Sequence, residues 1–242
     1  MKCHLIAGAP GCAFAVEHQT AAIVVDALRA SATAAMAFEA GARALLIVGD
    51  VETARKARAA GAGELLYGER DGLPPEGFDG GNSPRELDGV KGRTVIFTTT
   101  TGAARVVACW GAPAIAMGAT VNAAAVASWA GTMGRDVTLI PAGLTHDPEF
   151  PAEEDWCAAA WIADHAGWQV KEGAGAFAYW KNRIADEGAP AIFEGAAHAA
   201  KLRAAGLDAD IGFCARSDLT GAVPVAVARD QWGIWMKEPD TR

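Results

Sequence analysis

The chain has 242 residues, of which 51% are apolar and 21% are charged, and its formal net charge is −8. The ordinary charged fraction excludes wholesale disorder, and the acidic balance argues against nucleic acid as a binding partner. Five scattered cysteines without a CxxC pair favour a reducing compartment over a disulfide framework. We therefore expect a cytoplasmic protein that binds no nucleic acid, although a local basic pocket for a small anion stays open.

Short apolar runs alternate with helical segments along the first 140 residues. The apolar runs predict strands at 21–25, 44–48, 64–67, 94–98, 114–117 and 137–140. Helical patterns between them predict helices at 31–40, 51–60 and 121–133. This alternation predicts an α/β fold, layered α/β/α, with a largely parallel or mixed sheet.

The stretch 106–134 carries no charged residue, which raises the question of a membrane span. A spanning helix needs about 20 strongly apolar residues, whereas this stretch contains Pro113, several glycines and much alanine. It predicts a buried strand followed by a helix of small residues, and we expect no membrane partner.

The pattern becomes mainly helical after residue 150. Helices are predicted at 153–166, 174–186 and 196–205, and two short strands at 223–228 and 233–236. We interpret the chain as a single domain over residues 1–242. Lobes at 1–140 and 141–242 are an alternative division of that domain.

The first candidate site follows the predicted strand at 21–25, where α/β folds bind ligands. Asp26 comes directly after the strand, and Arg29 follows three residues later. The carboxylate could bind a divalent cation or attack an electrophile, and the guanidinium could hold a carboxylate, sulfonate or phosphate. The alternative is a helix cap that pairs with a structural arginine.

The second candidate is the loop 68–92, which is rich in glycine, proline and charge. Loops of this length within a compact domain are usually functional or disordered. Glu69 and Arg70 place opposite charges side by side, and Asn82 and Ser83 follow two glycines whose N–H groups could approach an anion. The alternative is a solvated surface loop.

The third candidate is a run of threonines between a strand and a helix. The hydroxyl groups of Thr99, Thr100 and Thr101 precede Gly102, and free N–H groups at such a helix start are typical of an anion site. The spacing and the lysine of a P-loop are missing. A β-branched strand end with a helix cap is the alternative.

The fourth candidate is a group of three carboxylates at 153–155, where a helix begins and its dipole alone would favour them. Glu154 and Asp155 could instead point inward and bind Mg²⁺ together with Asp26 or Glu69, because Mg²⁺ prefers few carboxylates and retained waters. The five histidines show no metal-ligand spacing, and we expect none of them to bind a metal.

Taken in chain order, these segments resemble the 2-phosphosulfolactate phosphatase family of coenzyme M biosynthesis. The block that ends in Asn82-Ser83-Pro84 is the most specific part. The other matching segments are Asp26 with Leu28, Arg29 and Ala30, Gly68 to Arg70, 98–102, Ala142-Gly143, Glu154-Asp155 with Cys157, and Phe213-Cys214 with Asp218 and Val223-Pro224. Three places depart from the family pattern: Thr101 replaces an Asn, Ala103 replaces a Thr, and Ser31-Ala32 stands in a usual threonine run.

The resemblance implies a Mg²⁺-dependent enzyme, a phosphoric monoester hydrolase that converts 2-phosphosulfolactate to 3-sulfolactate and phosphate. It implies that the catalytic residues are Asp26, Arg29, Glu69 and Asp155. It implies a metal site among Asp26, Glu69, Glu154 and Asp155. It implies substrate contacts from Arg29, Arg70, Asn82, Ser83, Thr99, Thr100, Thr101 and Gly102.

Several alternatives stay open at this point. The group that attacks phosphorus could be water or Asp26. The departures at 101 and 103 leave room for another small phosphorylated 2-hydroxy acid, and a non-catalytic anion-binding paralogue is a third interpretation. The expected partner is a small anionic phosphorylated substrate, and a homodimer built on the Trp- and Ala-rich helices is a further prediction.

Overall fold

The computed structural model describes residues 1–239, over which the chain forms one sheet and surrounding helices. The strands are β1 (Lys2–Leu5), β2 (Ala21–Val25), β3 (Ala44–Ile47), β4 (Leu65–Gly68), β5 (Thr94–Thr98), β6 (Ala114–Met117), β7 (Val137–Pro141), β8 (Gln169–Val170), β9 (Val225–Arg229) and β10 (Ile234–Lys237). The helices are α1 (Gly8–Glu17), α2 (Ala30–Glu39), α3 (Val51–Ala59), α4 (Gly102–Ala108), α5 (Ala123–Thr132), α6 (Glu153–His165), α7 (Ala174–Glu187), α8 (Ala189–Gly195), α9 (Ala197–Ala204) and α10 (Asp208–Cys214).

The sheet is mixed, and its strand order is β4-β5-β3-β10-β9-β6-β2-β7-β1-β8. Two parallel blocks, β4-β5-β3 and β6-β2-β7-β1-β8, lie on either side of the β9–β10 hairpin. The hairpin pairs antiparallel with β3, within itself and with β6, so the two blocks run in opposite directions. This arrangement confirms the predicted α/β class with a mixed sheet.

The opposite directions of the two blocks change how the loops that carry the candidate site residues come together. A doubly wound sheet would bring all carboxyl ends of its strands to one edge, but β2 and β5 belong to opposite blocks. Helix α4 follows β5 and bridges the blocks, because it packs against both β3 and β2. Its first residue, Gly102, consequently lies beside Asp26 at the end of β2.

Apolar side chains cover both faces of the sheet. Along β2, Ile23 packs in a cluster with α5, α6 and α8, whereas Val24 packs in a second cluster with α1, α2 and α4. Alternate residues of a strand point to opposite faces, so a strand buried on both faces is apolar throughout. This explains why 21–25 is a continuous apolar run and confirms the layered α/β/α arrangement.

The structure confirms every predicted strand and helix, and the boundaries agree to within about two residues. Six elements had no predicted range: β1, α1, α4, β8, α8 and α10. Helix α1 begins Gly-Ala-Pro-Gly, a composition typical of a loop, yet Pro10 lies in the first turn, where its missing N–H costs no hydrogen bond.

The uncharged stretch 106–134 forms the end of α4, strand β6 and helix α5, as predicted. Across residues 1–239, none of the helices combines the length and apolar character that crossing a membrane requires.

Candidate active site

A cavity of about 360 Å³ opens beside the end of β2, where several loops meet α9. Segments that are far apart in sequence therefore share one cavity wall. The wall is formed by Asp26, Leu28, Arg29, Glu69, Asp71, Gly72, Asn82, Thr100, Thr101, Leu144, His146, His198, Lys201, Leu202 and Ala204.

Asp26 is held in place by the first turn of α2. Its Oδ1 accepts a hydrogen bond from the Ala30 N–H (3.1 Å), and its own N–H donates to the Ser31 hydroxyl (3.0 Å). Burial raises the pKa of Asp26 to about 6, although the charge of His198 and the Ala30 hydrogen bond oppose this rise. A carboxylate in a cavity with a pKa near neutrality is typical of a catalytic group.

Asp155 lies behind Asp26 rather than in the cavity wall. Both of its oxygens are occupied, because Oδ1 accepts from the Ala27 N–H (2.8 Å) and Oδ2 from the Gly143 N–H (3.0 Å). Burial raises its pKa well above the ordinary value, and the charges of Glu154 and Asp26 raise it further. Asp155 thus joins the loops that follow β2 and β7, which is the position of a residue that orients the site.

Glu154 is fully buried, and its Oε1 is hydrogen-bonded to Nδ1 of His198. The His198 ring lies in the cavity wall. Burial lowers the pKa of His198, but the hydrogen bond and charge of Glu154, together with the charge of Asp26, outweigh it and raise that pKa above its ordinary value. The sequence analysis assigned no role to this histidine.

Glu69 lies in the wall and joins two loops. Its Oε1 accepts from the Thr100 N–H (2.7 Å), while Oε2 accepts from the Gly72 N–H (3.0 Å) and the Thr100 hydroxyl (3.2 Å). These bonds fix the loop after β4 against the threonine loop after β5, so the carboxylate shapes the cavity as well as lining it.

Arg29 lines the cavity and is held from behind by a carboxylate that the sequence analysis missed. Its guanidinium donates to Asp210 Oδ2 (2.7 Å) and to the Gly72 carbonyl (2.8 Å). The Ser83 hydroxyl donates to the other Asp210 oxygen over 2.7 Å. Ser83 therefore supports Arg29 through Asp210 and does not itself lie in the wall.

Asn82 presents an amide to the cavity with unused hydrogen-bonding capacity. Within residues 1–239 its buried Oδ1 has no hydrogen-bond partner. Buried polar atoms without partners are rare in folded proteins, which makes Asn82 a candidate ligand contact, and its contact with substrate stays a prediction.

Three other predicted substrate contacts are engaged within the protein. Arg70 donates to the Thr98 hydroxyl (2.9 Å), and the Thr99 hydroxyl accepts from the Ala103 N–H (3.0 Å) at the start of α4. Gly102 lies beside Asp26, since a Cβ atom built on it would stand 2.7 Å from Asp26 Oδ2. The proposed contacts of these residues with substrate stay predictions.

The four carboxylates predicted to bind a metal do not form one cluster. In the part of the chain that is described, no group of three or more His, Cys, Asp or Glu side chains is arranged to hold a metal ion. Asp155 and Glu154 lie outside the cavity wall, whereas Asp26 and Glu69 line it, although both Glu69 oxygens also accept hydrogen bonds from the protein. Mg²⁺ at phosphate sites often has only one or two protein carboxylates, so Asp26 and Glu69 fit such an ion.

A family model described as 2-phosphosulpholactate phosphatase matches residues 13–229. The chain belongs to this family. The match covers Asp26, the loop 68–92 and His198, so the whole cavity lies within it. The chain is thereby placed among enzymes, in the class of phosphoric monoester hydrolases.

Relatives of similar length agree with this assignment. A protein of Carboxydothermus hydrogenoformans is 35% identical over 84% of this chain and 85% of its own length. One from Pseudothermotoga lettingae is 33% identical over 88% and 92%, and one from Deinococcus radiodurans is 35% identical over 86% and 88%. Each is named a probable 2-phosphosulfolactate phosphatase.

The departures from the family pattern fall in different environments. Thr101 lies in the cavity wall, whereas Ala103 is buried in the core and Ser31 is fully buried, where its hydroxyl donates to the Val24 carbonyl (3.0 Å). Among these positions only Thr101 lines the cavity.

Among the residues of this candidate site that escaped the sequence analysis are His198, Lys201 and Asp210. They lie on the short helices α9 and α10, whose alanine-rich or acidic composition looks like ordinary helix surface. The partners of His198 and Asp210 are 44 and 181 residues away in sequence. The three-residue spacing of His198 and Lys201 on one helix face was the available signal.

Proposed function

We propose that this chain hydrolyses 2-phosphosulfolactate to 3-sulfolactate and inorganic phosphate with the help of Mg²⁺. The observation that carries the proposal is the convergence of the family's separate motifs on one cavity. Asp26, Arg29, Glu69, Asn82 and the threonine loop all reach its wall.

The cavity wall carries both signs of charge, with carboxylates at Asp26, Glu69 and Asp71 beside cations that would meet a small anionic substrate. Arg29 and Lys201 contribute cations, and the raised pKa of His198 favours its protonated form. Guanidinium groups bind phosphate, carboxylate and sulfonate through paired hydrogen bonds. Asn82 and Thr100 add neutral polar groups that orient the substrate.

Mg²⁺ would be held by Asp26 and Glu69, and it would supply positive charge to the phosphoryl oxygens. Asp26 lines the cavity with its Oδ1 fixed by the Ala30 N–H, which leaves Oδ2 for an incoming group. Arg29 is kept rigid by Asp210, so it can hold an anionic group without first being ordered. Asp155 holds the loop that carries Asp26 in place by accepting a hydrogen bond from the Ala27 N–H.

The attacking group is either Asp26 itself or a water molecule activated beside it. The pKa of about 6 leaves Asp26 ionised at neutral pH and fit for both roles. Trapping of a phosphorylated Asp26 during turnover would distinguish the two routes.

A second candidate function is hydrolysis of another small phosphorylated 2-hydroxy acid. Thr101 favours it, because this residue lies in the cavity wall where the family pattern has Asn. A threonine hydroxyl and a longer amide contact different parts of a bound anion, so the preferred substrate can differ without a change in chemistry.

The test is phosphate release from 2-phosphosulfolactate, 2-phospholactate and 2-phosphoglycerate, each with Mg²⁺ and with EDTA. We expect Mg²⁺-dependent release that is fastest with 2-phosphosulfolactate. Faster release from another ester would favour the second candidate. Substrate binding without phosphate release from any ester would contradict both and support the anion-binding paralogue.

The proposed compartment is the cytoplasm. All five cysteines are free and buried, which suits a reducing environment. The homodimer expected from the sequence stays a prediction.

A further inference from the structure

The buried pair Glu154–His198 has no part in the chemical step as described under the proposed function. Glu154 lies on α6 with no exposed surface, and its Oε1 is bound to Nδ1 of His198 on α9. Its second oxygen, Oε2, has no hydrogen-bond partner within residues 1–239. A carboxylate buried in this way is costly unless it is paired, so the imidazole is its principal compensation.

The pairing fixes which nitrogen of His198 can meet a substrate. Because Nδ1 is engaged by Glu154, Nε2 is the ring nitrogen left for the cavity that His198 lines. Phe150 packs on the ring with 4.6 Å between centroids, which restricts its rotation. A carboxylate that orients an imidazole in this way is the arrangement that acid–base catalysts use.

The charges around His198 favour a protonated ring. Glu154 and Asp26 together raise the pKa of His198 despite its burial, while Lys201 opposes them. A protonated imidazole held at Nδ1 by Glu154 keeps its second N–H, on Nε2, for the cavity.

The chemistry of the substrate calls for a proton donor. A 2-hydroxy acid leaves phosphorus as a basic alkoxide, and such leaving groups depart slowly unless they are protonated. Mg²⁺ and Arg29 would supply positive charge to the phosphoryl group, but neither would supply a proton to the bridging oxygen.

We propose that His198, positioned by Glu154, is the general acid of the reaction and protonates the bridging ester oxygen. As the P–O bond to the alcohol breaks, the Nε2 proton moves to the departing oxygen, the product leaves with a hydroxyl group in place of an alkoxide, and the imidazole becomes neutral. The nucleophile, whether water or Asp26, supplies the electron pair of the new P–O bond. This inference rests on the proposed function.

The test compares two esters that share a carboxylate and a phosphate but differ in leaving group. 2-Phospholactate releases an alkoxide, whereas phosphoenolpyruvate releases a far less basic enolate. We expect His198→Gln to lower kcat with 2-phospholactate and 2-phosphosulfolactate by about 10²-fold or more, and with phosphoenolpyruvate by under about tenfold. Equal losses on all three esters would show a structural role and overturn the proposal.

A second readout does not depend on turnover of phosphoenolpyruvate. Added imidazole should restore part of the 2-phosphosulfolactate activity of His198→Ala, because it supplies the missing proton donor. An absence of rescue, in a variant that unfolds at the wild-type denaturant concentration, would count against the proposal.

Glu154→Gln tests the positioning role. Gln can still accept from the Nδ1 proton but carries no charge, so we expect a smaller loss that is again greater for 2-phospholactate than for phosphoenolpyruvate. His165→Gln is the matched control, because His165 lies outside the cavity near Asp218, and its activity should equal that of the wild type. Wild-type inactivity on every ester would refute the proposed function itself, which is a distinct result.

Discussion

Arg29 and Asp210 form an ion pair of 2.7 Å in which both side chains are almost fully shielded from water. The pair connects the loop after β2 to α10, across 181 residues of sequence. Removal of one member of a buried ion pair leaves the other charge uncompensated, which costs more than the pair itself contributes. This relationship makes Asp210 a determinant of both stability and site geometry.

Asp210→Ala should therefore lower the free energy of unfolding by about 3–5 kcal/mol, measured by urea denaturation. Phosphatase activity should fall as well, because Arg29 loses its orientation. The control is Glu52→Gln, which breaks the exposed Glu52–Lys56 pair and should leave the urea midpoint unchanged. Similar midpoints for the two variants would refute the role assigned to Asp210.

Gly102 matters because α4 approaches Asp26 closely. A Cβ atom there would stand 2.7 Å from both Asp26 Oδ2 and the Ala30 Cβ. Gly102→Ala should displace Asp26, reduce kcat sharply and cost about 1–3 kcal/mol of stability through overpacking. Gly131→Ala on α5 is the matched control: it meets no atom within 4 Å and should stabilise the fold slightly without changing activity. Unchanged kcat in Gly102→Ala would contradict this close approach.

The raised pKa of Asp26 predicts a pH-dependent stability. The folded pKa of about 6 lies above the ordinary value of 3.8, so the folded protein binds this proton more tightly than the unfolded chain. Stability from this group is complete below pH 4 and is lost as pH rises to about 6, by about 2–3 kcal/mol. In EDTA, Asp26→Asn should match the wild type near pH 4 and exceed it by this amount at pH 7. If the free energies of unfolding of the wild type and of Asp26→Asn differ by the same amount at every pH, burial does not raise the pKa of Asp26.

Thr101 should control substrate choice. Thr101→Asn places the family's amide in the cavity wall, and one added hydrogen bond to a charged group should change the kcat/KM ratio of 2-phosphosulfolactate to 2-phosphoglycerate by about tenfold. Ala103→Thr alters the other departure in the loop, but its side chain lies in the core, so it should lower stability and leave the ratio alone. If Ala103→Thr rather than Thr101→Asn changes this kcat/KM ratio, Thr101 does not control substrate choice.

Much of the fold could be predicted from the sequence because its strands are continuous apolar runs between recognisable helices. The run 21–25 forms β2. Residues of the loops after β2, β4 and β5, which the sequence analysis chose as candidate sites, line the cavity. The opposite directions of the two blocks could not be predicted, since they depend on the insertion of the C-terminal β9–β10 hairpin between β3 and β6.

The candidate site was predictable in its loops but not in its supporting contacts. Asp26, Arg29 and Glu69 carry local signals, because each follows a strand. Asp155 was predicted as a catalytic residue and metal ligand, yet its two backbone N–H donors, from Ala27 and Gly143, come from distant loops. Spacing along one helix cannot reveal which carboxylate faces a ligand and which holds a loop.

The most direct test of the account is phosphate release from 2-phosphosulfolactate in the presence of Mg²⁺ by the wild type and by Asp26→Asn. The account predicts turnover by the wild type and a loss of about 10³-fold or more in the variant, whose circular dichroism spectrum should be unchanged. A variant that keeps a near-normal rate would remove Asp26 from the site, and an inactive wild type would contradict the proposed reaction.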